Sequence, residues 1–123
     1  DQTAILYGAN IYPENIKRAL EEEDVRQHVS GKFTMYTDLD KNKDQQLFIE
    51  VECACNVGNS KHLEEMISHR IHETLLEMNA EYRSSYSGTG NKMIPNVRMI
   101  ANQNGNDNST STGPIKHSWS KKH

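Results

Sequence analysis

Four sets of residues in this chain carry side chains that could do chemistry, and their spacing decides what each can be. Asp38, Asp40, Asn42 and Asp44 stand at the intervals of the first ligands in a calcium-binding loop. Such a loop needs glycine at its sixth position for a sharp turn and a bidentate glutamate at its twelfth. Here those positions are Lys43 and Ile49, with Glu50 one residue late, and Lys41 and Lys43 dilute the negative charge. The segment therefore reads as a solvated hairpin loop. His69 and His72 lie three apart in a helical pattern, with no carboxylate or cysteine motif at matching spacing, and read as surface histidines rather than metal ligands. Cys53 and Cys55 alternate along a strand, so both point to one face. That geometry disfavours a disulfide and, with no second pair, zinc; they read as buried small apolar residues in a reducing compartment. The fourth set is the segment G-P-I-K-H-S-W, Gly113 to Trp119, with Lys116, which runs into a locally basic end, His117 to His123, that holds Lys121 and Lys122.

Composition narrows the classes. The chain has 123 residues, a size typical of one domain, and a net charge of -3, which gives no basic field for nucleic acid. No apolar stretch approaches the roughly 20 residues that span a bilayer, and no signal peptide opens the chain, so a cytoplasmic protein without a membrane partner is expected.

The elements that must position these residues follow from periodicity. Ala4 to Tyr7 is an apolar run of strand length that passes through Gly8 and, on this reading, turns directly into a helix beginning at Pro13. Ile16, Ala19 and Leu20 form the helix's inward face, while Glu14, Lys17, Arg18 and Glu21 face water. Glu21 to Asp24 ends that helix, and a polar connection carrying Val25 and Val29 follows. Phe33, Met35 and Thr37 alternate with Thr34 and Tyr36, and Leu47, Ile49, Val51, Cys53 and Cys55 with Phe48, Glu50, Glu52 and Ala54, which predicts a hairpin whose second strand has one apolar and one acidic face. A long helix capped by Ser60 is predicted from Leu63, Met66, Ile67, Ile71, Leu75 and Met78. Ser84 to Asn91 reads as a serine- and glycine-rich linker, and Ile94 to Ile100 as a last strand that Pro95 confines to an edge or a strand start. The expected fold is α+β, a ferredoxin-like two-layer sandwich in the order β-α-β-β-α-β, with the helices on one face of a mainly antiparallel sheet. Residues 1–101 form its core, and residues 102–123 a polar loop and basic segment.

The stretch Y-G-A-N-I-Y-P-E-N-I-K-R-A-L, Tyr7 to Leu20, resembles the region that opens the C-terminal domain of acyl-adenylate-forming ligases. The likeness is to the phenylacetate-CoA ligase branch, with its pattern D-x-x-x-x-x-x-G-x-N-[IV]-x-P-x-x-I-x-x-x-L. Asp1, Gly8, Asn10, Ile11, Pro13, Ile16 and Leu20 all match. The resemblance implies that Asp1 is the hinge on which a small lid domain swings against a larger N-terminal adenylation domain of the same protein. Gly8, Ala9 and Asn10 would border the thiol channel. A chain that begins at the hinge aspartate is what one domain of a longer protein would be.

The implied chemistry is that of an ATP-dependent, AMP-forming carboxylic acid ligase. Acid and ATP give acyl-adenylate and pyrophosphate, and CoA or another thiol then displaces AMP. In such ligases a lysine on a late loop contacts the carboxylate and the phosphate, because a cation that arrives with domain closure stabilises the charge developing there. Lys116 is the best match, although the usual pattern sets the lysine directly after a glycine and here Pro114 and Ile115 intervene; Lys121, Lys122 and Lys92 stay open. ATP with magnesium and CoA are expected as cofactors of the full-length parent, with none bound by this chain alone. The alternative is a stand-alone ferredoxin-like module that senses a ligand or binds a protein without catalysis.

Overall fold

A computed structural model describes residues 2–54 and 61–102. The alternation of Phe33, Met35 and Thr37 places them on one face of β3 (Val29–Leu39), opposite Val51, Ile49 and Leu47 of the antiparallel strand β4 (Gln45–Cys53). Leu47, Ile49 and Val51 are wholly buried, in one core with Ile67, Ile71 and Leu75 of helix α3 (Lys61–Met78). Burying side chains of this size stabilises by about 1.5–3 kcal/mol each, and Ile16 and Leu20 of the first helix and Tyr82 join the same core. A third strand, β5 (Asn96–Ile100), lies parallel to β4, giving the order β3-β4-β5. Pro95 directly precedes β5, at an edge, where its missing N–H costs no ladder bond.

The fold is α+β with mainly antiparallel strands, as expected, but the start of the chain is built differently from the prediction. Two short strands, β1 (Ala4–Leu6) and β2 (Ala9–Ile11), pair antiparallel as a separate sheet before helix α1 (Pro13–Leu20) begins. Tyr7 and Gly8 form the two-residue turn between them, with φ of 48 and 81. That left-handed pair is the geometry of a tight hairpin turn, whose twist matches the strands it joins. Asn-Gly is the familiar sequence for it, and Tyr-Gly hides it. The element order is therefore β-β-α-α-β-β-α-α-β.

Helix α1 buries Ile16, Ala19 and Leu20 as their spacing predicts. A short helix, α2 (Glu23–Arg26), stands where a polar connection was expected. It buries Val25 completely and is tied to α3 by Asp24 and Arg70, 2.6 Å apart. The larger correction concerns Ser84 to Asn91. Helix α4 (Ala80–Thr89) runs through most of the supposed linker, and a 3-10 turn (Asn91–Met93) follows. Its serines and glycine have low helix propensity, but Asn79 caps the helix by accepting the Tyr82 N–H at 2.9 Å, and Tyr82 is fully buried. Capping and burial outweigh propensity there. Met78, predicted as core, is 49% exposed, because α3 ends at it and the chain turns away. Cys53 is buried as expected, and Cys55 lies outside the described residues. No helix among the described residues is long and apolar enough to cross a membrane.

Candidate functional site

The Tyr7–Gly8 turn gathers three of the predicted site residues, Gly8, Ala9 and Asn10, in one place. An ideal Cβ built on Gly8 meets no heavy atom within 4 Å, so glycine is needed there for its φ of +81 and not to relieve crowding. A side chain at this position would instead project into open space. Ala9 is buried, so it anchors the turn from beneath.

Side chains from distant parts of the chain hold the turn. The Tyr7 N–H donates to Gln45 Oε1 at 2.6 Å, and the Gln45 N–H donates back to the Tyr7 phenol oxygen at 3.0 Å. Ser85 Oγ donates to the Tyr7 carbonyl at 2.7 Å. Glu81 Oε1 accepts from the Asn10 N–H at 2.8 Å and from Asn10 Nδ2 at 3.2 Å. Asn79 Nδ2 donates to the Asn10 carbonyl at 2.8 Å and to Asn15 Oδ1 at 2.9 Å, which joins the turn to α1. Sequence reasoning missed Asn79, Glu81 and Ser85, because α4 went unrecognised. Asn79 in front of A-E-Y is a helix-capping signal that could have revealed it.

Asp1, Lys116, Lys121 and Lys122 lie outside the described residues. Lys92 is on the 3-10 turn, with its ammonium 3.2 Å from Asp44. The hydrogen bond to Asp44 holds its pKa above the usual lysine value, and Tyr7 adds to that electrostatically.

His72 is a further correction. It is buried rather than at the surface, with Nδ1 2.7 Å from the Tyr82 oxygen, while the Tyr82 hydroxyl donates to the Met93 carbonyl at 3.1 Å. Tyr82 has one proton to give, so the network is satisfied when His72 carries its proton on Nδ1 and donates it to Tyr82. Burial, reinforced by His69, pushes the His72 pKa down against the opposing pull of Glu73, and burial pushes the Tyr82 phenol up. His69 pairs with Glu73 at 2.9 Å. His72 also lines a cleft of about 370 Å³ with Ser68, Pro95 and Val97. No group of three or more metal-ligating side chains occurs among the described residues.

No family model matches the chain, and no curated protein sequence matches it. Solved structures do. A domain of phenylacetate-coenzyme A ligase from Bacteroides vulgatus ATCC 8482 superposes with a TM-score of 0.54 at 14% identity, covering 89% of this chain and 88% of that one. Brucella canis acyl-CoA synthetase superposes with a TM-score of 0.51 at 14% identity, covering 83% of this chain but 16% of the synthetase. At such identity the likeness is one of fold. The chain has the fold of a domain found in a phenylacetate-coenzyme A ligase and within an acyl-CoA synthetase.

Proposed function

We propose that this chain is the C-terminal lid domain of an ATP-dependent, AMP-forming ligase that joins a carboxylic acid to CoA or another thiol. The observation that carries the reading is the shared fold over nearly the whole of a phenylacetate-coenzyme A ligase domain. The seven pattern positions from Asp1 to Leu20 support it from the sequence side. On this reading the acid, the ATP and its magnesium are held by an N-terminal adenylation domain, and this chain supplies groups that arrive with closure. Lys116 enters first, as a cation against the carboxylate and phosphate oxygens during adenylation. Domain rotation about Asp1 then brings Gly8, Ala9 and Asn10 beside the path of the incoming thiol. The open space above Gly8 suits that role, since a side chain there would project toward whatever approaches the turn.

The test is done in a protein that contains both domains, with the half-reactions measured separately. Lys116→Ala is expected to slow acid-dependent pyrophosphate release about a hundredfold, by comparison with other lost transition-state contacts of about 3 kcal/mol. Gly8→Val is expected to obstruct conversion of preformed acyl-adenylate by the thiol and to spare adenylation. Gly8→Asn, whose side chain also projects but which tolerates the left-handed turn better, is expected to slow the same step and so separates obstruction from backbone strain. A two-domain protein that releases no pyrophosphate with any acid overturns the reading.

A further inference from the structure

Strand β2 has an outward edge, and the way it is covered points to a role for Glu81. The pairs Leu6↔Ala9 and Ala4↔Ile11 flank Ile5↔Asn10. In a hairpin with a two-residue turn, the pair nearest the turn exchanges hydrogen bonds and the next does not, so the Asn10 N–H and C=O point away from β1. A third strand would normally satisfy them. Here Glu81 Oε1 takes the N–H and Asn79 Nδ2 gives to the carbonyl, so two side chains replace a strand. A two-stranded hairpin is at best marginally stable alone in water, so its position is set by its buried Leu6, Ala9 and Ile11 and by what holds its edge.

We propose that Glu81 is a positioning residue for the glycine turn, acting through Asn10. Its one carboxylate oxygen binds both the backbone and the side chain of Asn10, which fixes the strand and the amide orientation together. Ser85, one helical turn further along the same face of α4, holds the Tyr7 carbonyl. Gly8 thus lies between two points fixed by a single helix face. The base is rigid, because Asn79 is 5% exposed and its side chain caps α4 as well as holding Asn10. Displacing α4 therefore shifts the Asn10 side of the turn, while Gln45 keeps its hold on Tyr7. This inference rests on the reading above in one respect, that the turn borders the path of the thiol.

Two measurements test it. Amide hydrogen exchange is followed in the full chain for wild type, Glu81→Ala and Glu81→Gln, since glutamine keeps the accepting oxygen. Glu81→Ala is expected to speed exchange of the Asn10 amide about fivefold to tenfold, as the loss of one exposed charge-assisted bond implies. Exchange at Ile49 and Val51 is expected to stay as it was, and Glu81→Gln to resemble wild type. Unchanged exchange at Asn10, or acceleration shared equally by Ile49 and Val51, overturns the proposal. In the two-domain protein, Glu81→Ala is expected to slow thioester formation at least fivefold and leave pyrophosphate release intact, with Glu81→Gln restoring the step. If Asn10 exchange rises but thioester formation is unchanged, Glu81 only stabilises the fold and the positioning role is wrong. If no acid elicits pyrophosphate release, the ligase reading fails instead, and exchange at Asn10 alone decides whether Glu81 holds the turn.

Discussion

Tyr7 and Gln45 each donate a backbone N–H to the other's side chain, at 2.6 Å and 3.0 Å, across thirty-eight positions of sequence. This reciprocal pair fastens the N-terminal hairpin turn to the start of β4. Tyr7→Phe keeps the ring and removes only the phenol oxygen, which leaves the half-buried Gln45 N–H without its partner. The expected loss is about 1–2 kcal/mol of unfolding free energy in urea, the usual cost of orphaning such a donor. Gln45→Ala should cost a similar amount, and the double variant less than the sum. Strictly additive losses would show that the two bonds are independent.

His72 gives a pH dependence whose sign follows from its burial. The fold favours the neutral imidazole, so its pKa lies below the ordinary histidine value of 6.5 that holds in the unfolded chain. The unfolded state therefore binds the proton more readily. Stability from this site is complete above about pH 6.5 and falls as pH drops from there toward the folded pKa. The charged neighbours are His69 and Glu73 on its own helix, while Tyr82 and Tyr86 of α4 pack against the ring. His72→Asn, whose amide can replace the Nδ1 donor, should flatten the thermal midpoint between about pH 7 and pH 5. An equally steep profile in the variant would assign the pH dependence to other groups.

The acidic hairpin loop should ignore calcium. Asp40 Oδ1 accepts the Asn42 and Asp44 N–H groups at 2.8 Å and 2.9 Å, and Asp38 Oδ1 accepts the Leu39 N–H at 2.8 Å. Asp44 holds Lys92. These carboxylates close the turn itself. Lys43 adopts the left-handed conformation, φ 67, at the position where a calcium loop carries glycine, and adds a positive charge there. Millimolar calcium is expected to leave the thermal midpoint unchanged. A clear rise would mean that the loop binds the ion, because a ligand selective for the folded state must stabilise it.

The parts that could be read from the sequence were those whose pattern is also their cause. Phe33 and Met35 alternate because one face of β3 packs, half-buried, against the core, and Ile67, Ile71 and Leu75 recur because one face of α3 is buried. The glycine turn was legible as a special backbone position at Gly8, but not as a hairpin, because Tyr7 is held at φ 48 by Gln45 and Ser85 rather than by its own preference. Helix α4 was hidden for the same reason. The local Asn79 cap was there to be read, but Asn79 and Ser85 obtain their other partners from Asn10 and Tyr7, 69 and 78 positions away, and no window of local sequence contains both halves of those contacts.

The parallel pairing of β5 with β4 also orders the assembly of the molecule in time. Strands β3 and β4 are joined by a short loop and can zip together as soon as both exist. Strand β5 reaches β4 only by way of α3, α4 and the 3-10 turn, and such distant pairing is slow because the intervening chain must be ordered before the contact rewards it. During synthesis the sheet therefore waits for β5, and the chain continues beyond Ile100 toward Lys116 from that late-paired strand.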